Sequence, residues 1–362
     1  MGEQRNKELL DIFYRQYLEE INDKLPSGIK PNEKEKNIKL VFINGRYHGL
    51  IPSFGPEQYY GGHPGIFYQT IINALGTDAK FIMIIMSAKE EGFSSDYPIE
   101  ARLKQGFIEE WIEILKGKLP YNIIHKLRLM DLINLEEIDD FKNFLEREIN
   151  NITIQISPMG SGNPQLYEIF KNTIDELSAT RQQTLMVTGL EKDKKTGEWF
   201  NKYSKTFPQT KFILLGREGG ISGTEIRNVV TRDDYIKIAK WLIDTGMSED
   251  ERVPLLIGKI IHAINHSDET SEFEEGMRVF EHIGLTEAEE KISKDIYKAV
   301  TDFKNEKKRK FDEKEHNDEK EEDTYDAYGN RKITNYYPGK ASRGGTKSKK
   351  NKKNKKSKKS KK

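Results

Sequence analysis

Five short apolar runs separated by segments of helical periodicity constrain this chain more than any other feature. The runs are Lys39 to Ile43, closed by Asn44-Gly45, then Phe81 to Met86, Ile152 to Ile156, Leu185 to Val187 and Phe212 to Leu215. They are too short for buried helices and too continuous for strands with one wet face, so each reads as a strand buried on both sides. Helical patterns lie between them around Ile66 to Leu75, Pro98 to Leu115, Gln165 to Leu177 and Glu198 to Tyr203. Strands alternating with helices predict an α/β fold: a doubly wound, Rossmann-like parallel sheet covered on both faces. Ligands of such a sheet bind outside the carboxyl ends of the strands, where each run here ends in glycine, serine or another polar loop residue.

The flanks are of different character. Residues 1–37 form an amino-terminal helix and linker, with Leu10, Phe13, Tyr14, Tyr17 and Ile21 on one face of a helix over residues 8–22, expected to pack on the first sheet element. Residues 38–232 make up the α/β domain. Leu119 to Asn151 is longer than a crossover needs, and an inserted helix is expected around Leu135 to Glu148. Residues 233–308 are wholly helical in pattern: Tyr235, Ile238, Ala239, Trp241 and Leu242 form one amphipathic helix ending at Gly246. Ser248-x-x-Glu251 and Thr286-x-x-Glu289 are capping boxes that open later helices reaching about Lys308. From about Asn305 charge dominates, and residues 309–362, Lys-rich from 340, are expected to be disordered.

The net charge of +1 conceals a segregation. Lys340 to Lys362 holds 12 Lys and one Arg with no acid, which leaves 47 basic against 59 acidic residues in the remainder. The body is therefore not a general polyanion binder. The tail would neutralise phosphates without sequence preference; it reads equally as a solubilising extension or a nuclear localisation signal. It carries no aromatic residue after Tyr337 for stacking on bases, which argues against sequence-specific RNA recognition. The absence of cysteine excludes disulfides and thiolate chemistry and favours a reducing compartment. No signal peptide and no apolar run long enough for a bilayer are visible, so an intracellular protein, cytoplasmic or nuclear and not membrane-bound, is expected.

Two segments carry chemistry. Gly220-Ile221-Ser222-Gly223-Thr224-Glu225-Ile226-Arg227 follows the last strand and precedes a helix. Free backbone N–H groups, the helix dipole, the hydroxyls of Ser222 and Thr224 and the guanidinium fork of Arg227 would together suit a phosphate. Ser222-x-x-Glu225 is also a capping box, which serves helix stability alone. The first strand ends Asn44-Gly45-Arg46-Tyr47-His48, and Tyr60-Gly61-Gly62-His63-Pro64-Gly65 follows before the first crossover helix. Taken alone, His63 reads as a turn residue bonding the backbone of a glycine-rich loop. At the topological switch point of a doubly wound sheet, however, a histidine facing a serine, threonine and arginine cluster is well placed to hold a nucleoside triphosphate.

With these residues the chain resembles the nucleotidyltransferase superfamily that carries an H-x-G-H motif after strand one and an I-S-S-T-x-x-R motif before a late helix, among them the nicotinamide mononucleotide adenylyltransferases, phosphopantetheine adenylyltransferases and cytidylyltransferases. Ile221 to Arg227 matches the second motif with Gly223 for one serine. Gly45-Arg46-Tyr47 is similar to the G-R-F that opens the first. The first motif itself is degenerate: twelve residues, His48 to Tyr59, separate Tyr47 from Tyr60 where the family has about three, and Tyr60 replaces the first histidine while Gly62 and His63 keep the pattern. Val187-Thr188-Gly189-Leu190-Glu191 is similar to the G-x-D ending the family's fourth strand. Leu215-Gly216-Arg217-Glu218-Gly219 is similar to the G-R-x-G stretch of the nicotinamide-specific members. Trp199 lies where those members carry an aromatic residue, although a lone helical tryptophan also reads as core.

The resemblance implies transfer of a nucleoside monophosphate from ATP or CTP to a small phosphorylated acceptor with release of pyrophosphate, adenylyl transfer to a nicotinamide mononucleotide-like acceptor being favoured. It implies His63 donating to the α-phosphate, and Ser222, Thr224 and Arg227 holding the departing phosphates. Gly45, Arg46, Gly62, Gly216, Ile221 and Gly223 would complete the nucleotide site, and Ser87, Lys89, Glu191 and Trp199 would meet the acceptor. Mg2+ would enter with the triphosphate, with no protein metal cage. The reading from another class is a degenerate nucleotide-binding protein that acts as a nucleic-acid or ribonucleoprotein adaptor through its basic tail.

Overall fold

In the computed structural model of the chain all five apolar runs are strands: β1 Ile38–Gly45, β2 Phe81–Met86, β3 Thr153–Ser157, β4 Gln183–Gly189 and β5 Lys211–Leu215. The structure describes residues 2–45, 47, 50–51, 62–86, 99, 101–157, 164–179, 183–189, 204–216, 229, 234–244, 246–247, 250–265 and 287–322. The strands form one all-parallel sheet in the order β3-β2-β1-β4-β5. β1 is the centre: Leu40 to Gly45 pairs with Phe81 to Met86 on one side, while Ile38 to Phe42 pairs with Gln183 to Met186 on the other.

The two-residue period of the strand sorts β1 between two cores. Val41 and Ile43 join the larger, which gathers buried side chains of most of the helices. Leu40 and Phe42 join a smaller one with Ile85, Met186, Phe170, Ile174 and Phe207. Phe42 meets Phe170 and Phe207 edge-on, at centroid distances of 5.5 and 5.4 Å. Both faces are therefore covered, and an uninterrupted apolar run such as Leu40 to Ile43 is what that environment requires.

The helices on the larger core are α1 Glu3–Asn22, α2 Gly62–Gly76, α3 Ala101–Leu129 and α4 Ile138–Asn150, while α5 Pro164–Ala179 covers the smaller. The periodicity of α3 is legible only to Leu115, yet the helix continues through Pro120. An interior proline costs about 3 kcal/mol. Leu119, Ile123, Ile124 and Leu127, all buried on either side of it, offset that at roughly 1.5–3 kcal/mol each. The inserted helix lies where the sequence places it. A 3-10 turn, Leu135–Glu137, opens it with a reciprocal box: Asn134 accepts from the N–H of Glu137 at 3.1 Å, and the Glu137 carboxylate accepts from the N–H of Asn134 at 3.0 Å.

The amino-terminal helix buries the expected face but packs chiefly on α2, α3 and α4, an outer layer over the helices rather than a direct cover of the sheet. Close approach is possible because position 76 is glycine: a Cβ there would lie 2.2 Å from the Tyr14 ring. Buried Asn73 ties the layers together, accepting from the Tyr14 hydroxyl at 2.8 Å and donating to the Tyr17 oxygen at 2.9 Å. Burial pushes both phenols well above their ordinary range, so both stay neutral.

The segment after α1 solves a different problem. β5 is an edge strand, whose free backbone groups would invite pairing with another chain. Buried Asn32 closes that edge by donating to the Leu214 carbonyl at 2.9 Å and accepting from the Leu214 N–H at 2.7 Å. Its own backbone is held the same way by the Asn22 side chain, at 2.9 and 2.7 Å. Two amide side chains thus stand in for strand backbone, and Glu35 adds an ion pair to Lys211 at 3.7 Å.

Helices α6 Tyr235–Asp244, α7 Arg252–Asn265 and α8 Glu287–Glu322 follow the sheet. Gly246, at φ +67°, ends α6 as expected. The Ser248 box puts the next helix start too early: Ser248 lies outside the described residues, and α7 begins at Arg252, whose N–H donates to the Asp250 carboxylate at 3.1 Å. Val253, Leu256, Ile257, Ile260 and Ile261 of α7 are buried, and α7 packs on α3. Helix α8 starts after Thr286, where the capping box puts it, and runs on to Glu322, so residues 309–322 are helical where charge density led us to expect disorder. Glu and Lys are strong helix formers and stabilise one another at four-residue spacing. Residues 1–306 form one compact unit and 307–362 a second. No helix among the described residues is long and apolar enough to cross a membrane.

Two outcomes follow from these contacts. Asn32→Ala should lower stability in urea unfolding by about 2–4 kcal/mol, because it strands two buried backbone groups, and should raise concentration-dependent association; a loss below about 0.5 kcal/mol would contradict the edge-closing role. Hydrogen bonding from Arg252 holds the Asp250 carboxyl below its ordinary 3.8, so its stabilisation is fully present above that value and fades as pH falls through the depressed one. The gap in unfolding midpoint between wild type and Asp250→Asn should accordingly be present at neutral pH and close in acid.

Candidate functional site

The strand registers align the strand exits. Gly45 pairs with Met86, and Gly189 with Leu215. Continuing the β1–β4 register from Phe42 and Met186 by three residues sets Gly45 beside Gly189. Met86, Gly45, Gly189 and Leu215 therefore form a level row at the carboxyl edge, with about 10 Å between the exits of β1 and β5. The strand order reverses between β1 and β4, which puts the switch point at the two glycines. Among the described residues, nothing lies within 4 Å of a Cβ built on Gly189.

The β1 exit is sharply folded. Tyr47 adopts the left-handed conformation, φ 48°, at a cost of order 1–3 kcal/mol for a residue with a side chain. Its ring, 2% exposed, turns back beneath Gly45, where a Cβ would lie 2.9 Å from it. The same ring packs on Phe67 of α2 at 5.3 Å. Gly45 is thus required by packing, whatever else it does.

Helix α2 begins at Gly62, four residues earlier than the periodicity indicates, and Gly62 at φ +71° uses a conformation open mainly to glycine. His63 consequently sits in the first turn of α2 and not in the preceding loop. It is half-buried, with its ring edge-on to Tyr47 at 5.3 Å and 84°. This packing holds the imidazole beside the end of β1, at the positive pole of α2.

The insertion after Tyr47 is anchored. Leu50 and Ile51 are fully buried, and the indole N–H of Trp111 on α3 donates to the Leu50 carbonyl at 2.7 Å. Lys104, fully buried in the first turns of α3, lies on the same helix two turns before Trp111. Neither Trp111 nor Lys104 was singled out by the sequence reading: in a helical pattern tryptophan reads as core and lysine as surface, and only the tertiary packing distinguishes these two.

At the β5 exit, Gly216 has a close neighbour. A Cβ there would lie 2.2 Å from the carbonyl oxygen of Lys24, so the turn after α1 rests directly on it. The structure thus gives this glycine a packing role independent of phosphate binding. Of the other residues named from the sequence, Arg46, His48, Tyr60, Ser87, Lys89, Glu191, Trp199, Ile221, Ser222, Gly223, Thr224 and Arg227 lie outside the described residues. Their chain neighbours Gly45, Met86, Gly189 and Gly216 are at the aligned edge. Among the described residues no group of three His, Asp or Glu could hold a metal ion.

Two alanine substitutions separate the glycines. Gly216→Ala forces a backbone shift and should cost about 1–3 kcal/mol in chemical denaturation. Gly189→Ala meets no described residue within 4 Å and should change stability by no more than about 0.5–1 kcal/mol. Equal effects would contradict the geometry at both exits.

Comparison of the chain with protein-family models, with curated proteins and with solved structures finds no match.

Proposed function

We propose that this protein is a nucleotidyltransferase of doubly wound, Rossmann-like architecture that moves a nucleoside monophosphate from ATP or CTP to a small phosphorylated acceptor, most readily an adenylyl group to a nicotinamide mononucleotide-like acceptor. The observation that carries the reading is the aligned edge. Gly189, at the end of β4, lies between the β1 exit, which leads to His63 at a helix amino terminus, and the β5 exit, which leads into Ile221 to Arg227.

In such a reaction a phosphate oxygen of the acceptor attacks the α-phosphorus; that P–O bond forms as the bond to the β-phosphate oxygen breaks, and pyrophosphate leaves with the electron pair. Positioning and charge stabilisation supply the catalysis. His63 would donate to the α-phosphate oxygens as charge accumulates. Ser222, Thr224 and Arg227, with the backbone N–H groups of their loop, would hold the β- and γ-phosphates. Ser87, Lys89, Glu191 and Trp199 would meet the acceptor. Magnesium, carried by triphosphate oxygens and water, would neutralise phosphate charge when bound, a mode that needs no protein cage.

The test is pyrophosphate release by purified protein with ATP or CTP across a panel of phosphorylated acceptors. His63→Ala and Arg227→Ala should each reduce turnover by about a hundredfold or more while the chain stays folded by circular dichroism. Turnover that survives both substitutions would overturn the assignment, as would its absence from the wild type.

The charge segregation favours a second role alongside this one: non-specific contact of Lys340 to Lys362 with nucleic-acid phosphates, in the cytoplasm or nucleus. Without turnover, the same tail would make the protein a nucleotide-binding adaptor.

A further inference from the structure

Residues 23–37, which join α1 to β1, run along β5 in the direction opposite to it. The Lys24 carbonyl oxygen lies 2.2 Å from where a Cβ on Gly216 would be, Asn32 exchanges two hydrogen bonds with Leu214, and Glu35 pairs with Lys211 at 3.7 Å. Two residues in the left-handed region allow its changes of direction: Gly28 at φ 90°, and Asn37 at φ 60° immediately before β1. From the α1 side, the Asn22 side chain holds the Asn32 backbone, while Lys34 pairs with Asp11 and lies over the Tyr14 ring at 5.8 Å. The segment therefore ties the edge strand to the outer helix.

Little apolar surface holds it there. Of residues 23–37 only Asn32 is buried, at 7% exposure, and its side chain is polar. A segment fixed by hydrogen bonds and exposed ion pairs, without a buried apolar anchor, opens far more readily than the whole fold unfolds. Opening has two effects at once. It frees the Leu214 N–H and carbonyl at the edge of the sheet, and it removes the Lys24 carbonyl from Gly216, at the exit that leads to Ile221 to Arg227.

We infer that residues 23–37 are a latch on β5 whose closure both seals the sheet edge and fixes the β5 exit, so that a nucleotide held by Ile221 to Arg227 binds the closed latch more tightly than the open one. The inference rests on that loop's being the triphosphate site. With the exit held, the loop's donors lose less conformational freedom when they engage phosphate. By reciprocity, a bound nucleotide favours closure to the same extent. The Leu214 N–H reports the state of the latch, because its acceptor is the Asn32 side chain.

The test is amide hydrogen exchange of the full chain, resolved at single residues, with and without MgATP. Without nucleotide, Leu214 should exchange at least about tenfold faster than Val41 and Phe42 of β1. MgATP at about a hundred times its Kd should slow Leu214 by about tenfold or more. A ligand that only stabilises the whole fold leaves unchanged an amide that exchanges through a smaller opening. Asn32→Ala, with the one buried anchor gone, should bind MgATP about tenfold or more weakly, since the closed fraction scales the affinity; if that variant does not fold, the wild-type exchange decides alone. Leu214 exchanging as slowly as β1, or unmoved by MgATP that protects 220–228, would overturn the latch and leave the site reading standing, as would wild-type affinity in a folded Asn32→Ala. Protection of neither Leu214 nor 220–228 would overturn both.

Discussion

Hydrogen bonding on both sides of β1 is the constraint on which the rest of the structure depends. Its backbone is committed to β2 on one flank and β4 on the other, and Leu40 to Ile43 are buried alternately into two cores. The larger core takes Val41 and Ile43 and recruits the outer helices; the smaller takes Leu40 and Phe42 and closes on the aromatic cluster of Phe170 and Phe207. The strand order reverses beside this same strand, and in open α/β sheets ligands bind outside the carboxyl ends at such a reversal. The carboxyl edge is therefore a product of the packing and not an addition to it.

What surrounds that edge is held with little slack. Tyr47 is forced into a left-handed turn so that its ring lies beneath Gly45 and against His63. Trp111 grips the carbonyl of Leu50, and the turn after α1 rests on Gly216. Each contact joins a different layer to one strand exit, and the Asn22 and Asn32 amides seal the adjacent edge. A well-packed frame is the arrangement in which positioned donors act most strongly on developing charge.

The strands were legible because burial on both faces leaves a continuous apolar run that no other element of that length produces. The inserted helix was legible in the pattern from Leu135 to Glu148, whereas the start of α2 was placed four residues late because its first turn, Gly62 to Gly65, reads as a glycine-rich loop. The continuation of α3 beyond Leu115 was not legible, since Pro120 is a local stop signal overridden by buried neighbours distant in sequence. Nor was the edge cover: Asn22 and Asn32 look like turn residues, and the pairing of Asn32 with Leu214 spans more than 180 residues. The helicity of 309–322 was missed because high charge was weighed above the helix propensity of Glu and Lys. At the candidate site, the sequence located Gly45 and Gly216 at strand exits but put Gly62 and His63 in the loop before α2, and the packing that fixes Gly45 and Gly216 came only from tertiary contacts.

The central claim is that the exits of β1 and β5 hold one triphosphate between them. Hydrogen–deuterium exchange with and without MgATP measures this directly. The expected result is slowed exchange on ligand addition in peptides covering both 61–65 and 220–228, with β3 and α4 unchanged. Protection of neither segment, or of one alone at saturating nucleotide, would contradict a shared site.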